Sequence, residues 1–185
     1  MDRLRVFISS TQKDLQPERD TAEAVIAELG HECLRAETYD APGVSPEAAC
    51  RNLATECDVY IGIFGGRHGH TVASLGCSVT EMEYRVARES NPSKVLIYIK
   101  RSEDVEAEQI RFLKEVQDFS DGYFRHQCFE TATQLAEQIK RDLITWTSRR
   151  VREALAKEVE IRALRDKVAC QSRIMEIYGI PEDLR

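Results

Sequence analysis

The sequence predicts an α/β domain, with a parallel sheet of about five strands, helices on both faces and a long helix at the carboxyl end. Short apolar runs alternate along the chain with segments whose apolar residues recur every three or four positions, as strands connected by helices do. The run at residues 57–64 is continuously apolar, which is typical of a central strand covered on both sides.

The predicted elements follow one another in a regular order. Each predicted strand is a short apolar run bounded by polar residues or glycine, and each predicted helix has apolar positions at helical spacing. The strands are predicted at residues 4–8, 31–35, 57–64, 94–100 and 123–129. The helices are predicted at residues 14–29, 46–54, 79–89, 105–118 and from 131 onward.

The last predicted helix is longer than one small sheet can cover, since no Gly or Pro follows residue 131 until Gly179. We therefore predict an α/β domain over residues 1–146 and a helical extension over residues 147–185. The two parts differ in net charge, −8 against +2. The extension is either a solvated helix bent back on its own domain or a surface for self-association or for linkage to another domain.

Composition excludes several classes of protein. Hydrophobic residues make up 42% and charged residues 31%, which is typical of a globular chain. The net charge of −6 argues against duplex DNA or an anionic membrane as the main partner, because both need a basic surface. No apolar run reaches the length of a membrane helix and the amino terminus lacks an apolar signal region, so we expect a cytoplasmic location.

Common cofactor and metal motifs are not found in the sequence. Neither the phosphate-binding pattern G-x-x-x-x-G-K-[ST] nor the dinucleotide pattern G-x-G-x-x-G occurs. The six cysteines form no C-x-x-C pair, and His68 and His70 in a glycine-rich loop are weak grounds for a metal site. We predict no metal and no resident cofactor.

Three polar segments should meet at one edge of the sheet, because ligands of open parallel sheets bind beyond the carboxyl ends of the strands, where the strand order reverses. The first segment, Ser9-Ser10-Thr11, follows the first strand. Its hydroxyl and N–H groups can bind a phosphate or carboxylate, or they can simply cap the next helix.

The second segment is the glycine-rich loop after the 57–64 strand. Gly65, Gly66 and Gly69 permit close approach of the backbone to a ligand or, alternatively, a tight turn. Arg67 offers a guanidinium fork for an anion.

The third segment is the start of the helix at residue 79. Thr80, Glu81 and Glu83 lie in its first turns. Because residues two apart do not share a helix face, at most one of the two glutamates points into the crevice. Either one is also a favourable charge near a helix amino terminus.

Together these segments resemble a known family. The chain opens with Val6-Phe7-Ile8-Ser9-Ser10-Thr11, continues through the run at residues 58–65, and carries Ser78-x-Thr80-Glu81-x-Glu83-Tyr84 with Ala87. In this order the motifs resemble the TIR-like domain-of-unknown-function family 4062 over residues 4–100, and by order of elements to residue 146. The resemblance implies a flavodoxin-like or TIR-like three-layer sandwich in a larger defence or signalling protein.

The resemblance also implies roles for individual residues. The segment from Glu83 to Ala87 is similar to the one that carries the essential glutamate in TIR NAD hydrolases and nucleoside deoxyribosyltransferases. It implies Glu83 as the catalytic residue, with Glu81 as the alternative, and NAD as a possible substrate of N-glycosidic cleavage. From their location alone we expect Ser9 and Thr11 to contact ribose or phosphate, Arg67 to pair with a phosphate, and Phe64 or Tyr84 to stack on a base. The other nucleotide contacts expected from location are Ser10, Gly65, Gly66 and Thr80.

Two functions stay open at this point, because fold alone does not decide function. The first is an effector domain that cleaves NAD or a related nucleotide when copies assemble. The second is a non-catalytic module for protein interaction. Both predict a homo-oligomer or a fused signalling domain as the partner, and neither involves nucleic acid or a membrane.

Overall fold

The computed structural model describes residues 3–38, 43–72, 75–120, 122–123 and 128–177. Its strands are β1 (Arg5–Ser10), β2 (Glu32–Leu34), β3 (Val59–Phe64), β4 (Thr71–Val72), β5 (Cys77–Ser78) and β6 (Val95–Ile99). Its helices are α1 (Gln12–Glu28), α2 (Pro46–Glu56), α3 (Val79–Ser90), α4 (Ala107–Val116) and α5 (Ala132–Ile177), with short 3-10 turns at Ala36–Thr38 and Pro92–Lys94.

Four strands form the main sheet in the order β2-β1-β3-β6, and all neighbours are parallel. From β1 the chain moves to β2 on one side and later adds β3 and β6 on the other side. The strand order therefore reverses between β1 and β3, which is the place where open sheets bind ligands. The predicted α/β class is confirmed, and β3 is an inner strand with every residue buried, as predicted.

The number of strands differs from the prediction of about five. Of the edge strand predicted at residues 123–129, residues 124–127 lie outside the described residues. Phe129 makes a single parallel bridge to Lys100, and its N–H donates to the carbonyl of Ile99 at 3.0 Å. The small antiparallel ribbon of β4 and β5 was not predicted, because strands of two residues are too short to show alternation.

Alternation of side chains along the strands divides the core into two layers. Phe7, Tyr60 and Phe64 point to the side on which α2, α3 and α4 pack. The alternate positions Val6 and Ile8 point to the opposite side, where α1 contacts the sheet. Helices thus cover both faces of the sheet, which gives the predicted three layers.

The helix starts position the residues that follow β1 and β5. Ser78 caps α3, since its Oγ accepts a hydrogen bond from the Glu81 N–H at 3.2 Å. Thr11 occupies the cap position of α1 but makes no side-chain cap bond. The first turn of α1 is kinked at Leu15 (φ −122°, ψ 20°), two residues before Pro17, a residue that disrupts helix interiors.

The chain divides into two compact units, Met1–Arg141 and Asp142–Arg185. The predicted domain boundary after residue 146 lies nearby and stays a prediction. No helix in the described ranges is both long enough and apolar enough to cross a membrane. The second unit carries a set of exposed large apolar side chains: Ile144, Val151, Leu155, Val159, Ile161, Leu164 and Val168.

Candidate functional site

A cavity of 510 Å³ opens at the carboxyl edge of the sheet, beside the reversal of strand order between β1 and β3. Its volume falls within the range of small-molecule sites. The wall combines the end of β1, α1, the turn after β2, the loop after β3 and the start of α3. The lining residues are Ile8, Ser10, Thr11, Gln12, Lys13, Arg19, Ala36, Glu37, Arg67, Gly69, His70, Val79, Thr80 and Glu83.

The last two residues of β1 hold charged side chains from two different layers. Ser9 shares the strand face of Phe7, and its Oγ donates to Glu83 Oε2 of α3 at 2.5 Å. Ser10 faces the other side, and its Oγ accepts from Arg19 Nη1 of α1 at 2.8 Å. Alternation along one strand therefore brings the carboxyl group of Glu83 and the guanidinium of Arg19, which belong to opposite layers, to the same cavity.

Glu83 is the most deeply buried acid of the cavity wall, with 4% of its surface exposed. Burial raises the pKa of Glu83 to about 7, although hydrogen bonds from Ser9 and Cys50 and the charge of Arg19 act in the opposite direction. The negative charge of Glu37 adds to the increase. Glu83 therefore exchanges its proton near neutral pH, which suits a residue that interacts with a reacting sugar.

A second carboxylate, Glu37, lies in the same wall. Arg19 is 2% exposed, and while its Nη1 bonds to Ser10, its Nη2 donates to Glu37 Oε1. Burial acts to raise the pKa of Glu37, but hydrogen bonds from its own backbone N–H and from Arg19 outweigh this, so its pKa is lowered. The cavity thus holds one ionised carboxylate and one that titrates near neutrality.

Exposed cations complete the cavity. Lys13 and Arg67 both line it, and neither makes an ion pair with another described residue. They leave positive charge available for an anionic ligand such as a phosphate. His70 lines the cavity as well, whereas His68 is buried away from it. Within the described ranges no group of three or more His, Cys, Asp or Glu side chains could hold a metal ion.

Glu81, the alternative catalytic residue, does not line the cavity. It is 2% exposed, and its Oε1 lies 2.6 Å from Arg85 Nη2 while its Oε2 lies 3.6 Å from His68 Nε2. Arg85 also makes two bonds to Glu115, at 3.0 and 2.6 Å. Glu81 therefore belongs to an ion-pair network with Arg85 and Glu115 on another side of α3.

The two aromatic residues predicted to stack on a base do not line the cavity either. Phe64 and Tyr84 are fully buried and contact each other edge to face, with ring centroids 6.2 Å apart. Phe112 lies against both, at 4.9 and 5.5 Å. The predicted stacking role has no support in this arrangement, since both rings belong to the core between α3 and α4.

The glycines after β3 serve the packing of the protein itself. A Cβ on Gly66 would lie 2.1 Å from the Asp104 carbonyl oxygen, and the Gly66 carbonyl accepts from the Glu106 N–H at 2.9 Å. Gly65 is also buried and outside the cavity lining. Gly69 does line the cavity, and its φ of +85° marks the tight turn considered as the alternative.

Among the residues of the cavity wall, Gln12, Lys13 and Arg19 of α1 and also Glu37 were not predicted as site residues from the sequence. Arg19 carried a signal, because Leu15, Arg19, Ala22 and Ile26 recur at helical spacing, which puts a charged residue on the buried stripe of α1. Glu37 carried none, since it lies in a short 3-10 turn without a motif.

The comparisons with known proteins give a family. The family model described as "Domain of unknown function (DUF4062)" matches residues 5–144. No curated protein matches the chain. Because the family model covers more than half of the sequence, the chain belongs to the DUF4062 family, and the resemblance seen in the motifs is confirmed.

Solved structures with a similar arrangement include a CMP N-glycosidase, BcmB, from Clostridium botulinum, with a TM-score of 0.45 and 14% identity over 73% of this chain and 97% of that chain. The heterodimer of the RPS4 and RRS1 TIR domains gives a TM-score of 0.45 and 12% identity, covering 78% and 98%. The TIR domains of the activated Roq1 resistosome, which recognises the pathogen effector XopQ, give 0.49 and 13%, covering 76% and 99%.

Proposed function

We propose that this member of the DUF4062 family is a TIR-like effector domain that cleaves the N-glycosidic bond of NAD or a related nucleotide. The observation that carries the proposal is the buried carboxyl group of Glu83, hydrogen-bonded to Ser9 at 2.5 Å in the wall of a cavity that also presents cations. We further propose that the domain is cytoplasmic, acts in defence or signalling, and is activated by self-association.

The chemistry follows from the character of the bond. Cleavage passes through an oxocarbenium-like state at the sugar C1′, which a carboxylate can stabilise. In this proposal Glu83 binds the ribose hydroxyls and faces the developing positive charge. The C1′–N bond breaks with its electron pair going to the leaving nitrogen, and the oxygen of a water molecule bonds to C1′ while one proton of that water is released to solvent. The nicotinamide of NAD needs no proton to leave, because the electron pair neutralises its ring.

The rest of the cavity suits the remainder of a nucleotide. Lys13 and Arg67 provide charge for phosphate groups, and Thr11 and Thr80 add hydroxyl groups at the same wall. A neutral nucleoside would bring no counter-charge to these two cations, which make no ion pair with the described part of the chain. We therefore expect phosphorylated substrates to be preferred.

The direct test measures release of the base from NAD, NADP and nucleoside monophosphates by chromatography. The reactions are run at high protein concentration and also with the chain clustered on a fused oligomer. Glu83→Gln should lower the rate by about 100-fold or more, as loss of a positioned catalytic group does. Glu81→Gln is the matched control on the same helix and should retain turnover.

Equal rates for Glu83→Gln and the wild type would contradict the assignment. No turnover by the clustered wild type would favour the second candidate, a non-catalytic interaction module. That candidate is supported by the exposed apolar side chains of the second unit, among them Leu155 and Val159.

A further inference from the structure

On the basis of the proposed glycosidic cleavage, we propose that Glu37 is a second catalytic carboxylate of this site and accepts the proton of the attacking water. This residue lies on the turn that follows β2 and carries no motif in the sequence. The inference adds a partner to Glu83 and assigns the two acids different tasks.

The position of Glu37 is fixed by a buried arginine. Arg19 is 2% exposed and holds the turn after β2 against the end of β1, since it bonds to Ser10 with Nη1 and to Glu37 with Nη2. The Nε of Arg19 is buried and has no hydrogen-bond partner among the described residues. A buried guanidinium requires a negative partner, so Arg19 keeps Glu37 in its ionised form.

The carboxylate of Glu37 is accessible from the cavity, which an ion pair with a purely structural role does not require. Its side chain is 31% exposed and lines the cavity, and Arg19 engages only one carboxylate oxygen, Oε1. The carboxylate also accepts from its own backbone N–H, and its exposed part keeps lone pairs that can face a water molecule in the cavity. A general base needs this combination of a fixed position and an open lone pair.

The two carboxylates of the cavity are held by different kinds of donor. Glu83 accepts from the neutral hydroxyl of Ser9, whereas Glu37 accepts from the cation of Arg19. The pKa of Glu83 is raised to about 7 and that of Glu37 is lowered. In enzymes that use two carboxylates, surroundings that give the two groups different pKa values also give them different catalytic roles.

The proposed step balances as follows. The oxygen of water bonds to C1′ while the C1′–N bond breaks, and the electron pair of that bond goes to the leaving nitrogen. The proton lost by the water goes to the Glu37 carboxylate and then to solvent. Glu83 keeps its contact with the ribose hydroxyls throughout.

The test is Glu37→Gln in the full chain, assayed with the nucleotide that the wild type cleaves best. The amide oxygen can still accept from Arg19, but the buried guanidinium loses its negative partner, and melting curves therefore check that the variant folds. Hydrolysis should fall by about 100-fold or more. Sodium azide should restore base release and yield the ribosyl azide, because azide attacks C1′ without losing a proton. Glu83→Gln is the control and should not be rescued.

Hydrolysis by Glu37→Gln within about threefold of the wild type would overturn the inference, since so small a change is far below the effect of a general base. A folded but slow variant that azide does not rescue would overturn it as well and leave Glu37 a structural role. If Glu37→Gln does not fold, the pair Arg19→Met with Glu37→Met removes both charges together and is tested with azide in the same way. If the wild type cleaves no nucleotide, the proposed function itself fails and this inference with it.

Discussion

Glu81 and Glu83 stand two residues apart on α3, and both are almost completely buried, yet their surroundings are opposite in kind. Glu81 lies against Arg85 and His68, so its charge has a cation in contact. Glu83 accepts hydrogen bonds from a hydroxyl and a thiol, and the charge of Arg19 acts on it electrostatically. These two buried glutamates of one helix therefore differ in their contacts: a guanidinium lies against Glu81, whereas a hydroxyl and a thiol hold Glu83, the pKa of which is raised by burial.

His68, which lies near Glu81, belongs to the loop that borders the cavity. His68 approaches Glu81 with its ring, and its backbone N–H donates to Glu106 Oε2 at 2.7 Å. The neighbouring residues Arg67 and Gly69 line the cavity. One side of α3 thus lies near this loop, and the next side supplies Glu83 to the cavity wall.

The largest expected effect concerns turnover as a function of pH. If Glu83 acts as a carboxylate, kcat/KM of the wild type should rise by about 50- to 100-fold between pH 5 and pH 8, because a group with a pKa of about 7 is only about 1% ionised at pH 5. Glu37, whose pKa is lowered, adds no step in this range. A series of initial rates in buffers of constant ionic strength checks this, and a flat profile would contradict it.

The next effect concerns stability. Glu83 binds its proton more tightly in the folded chain than at its ordinary pKa of 4.5, so the wild type should lose stability as the pH rises from about 4.5 through about 7. Glu83→Gln removes this titration and should be more stable than the wild type by up to about 3 kcal/mol at pH 8, with the gain vanishing near pH 4. Urea unfolding at both pH values measures the difference. An equal gain at pH 4 and pH 8 would show that ionisation of Glu83 is not the cause.

The smallest effect is expected for Glu81→Gln, and it has the opposite sign. Loss of the carboxylate removes one partner of Arg85, but Arg85 is half exposed and keeps Glu115, so we expect a loss of only about 1 to 2 kcal/mol. Urea unfolding at pH 7 measures it, with Glu115→Gln as the control for the exposed half of the network. A gain in stability comparable to that of Glu83→Gln would contradict the prediction that the two substitutions change stability in opposite directions.

Most of the fold could be predicted because the strands are apolar runs with clear ends. The run that became β3 was assigned to an inner position from its continuous apolar character alone, and the structure buries all six of its residues. The hairpin of β4 and β5 escaped prediction because it depends on a contact between two pairs of residues, Thr71–Val72 and Cys77–Ser78, and not on any periodic pattern.

The candidate site was predictable only where it follows from strand ends. Ser9 and Glu83 were expected at one edge from the rule for parallel sheets, and they are hydrogen-bonded. Arg19 and Glu37 lie nine and 27 residues beyond Ser10, and only the folded chain brings them to it. Tyr84 was expected at the ligand, but it follows Glu83 by one helical position, about 100° around α3, and that step directs it into the core.

The opposite orientations of Ser9 and Ser10 have a consequence for how this cavity tolerates change. A one-residue insertion before Ile8 would reverse the side chains that follow it, so the apolar side chain of Ile8 would replace the Ser9 hydroxyl beside Glu83. A one-residue deletion there would place Ser10 and Thr11 where Ser9 and Ser10 lie, and hydroxyl groups would still face Glu83 and Arg19. Insertions should therefore be confined to the loops around this strand. A lineage with an insertion in the strand itself would leave the Glu83 wall of the pocket without its hydroxyl partner.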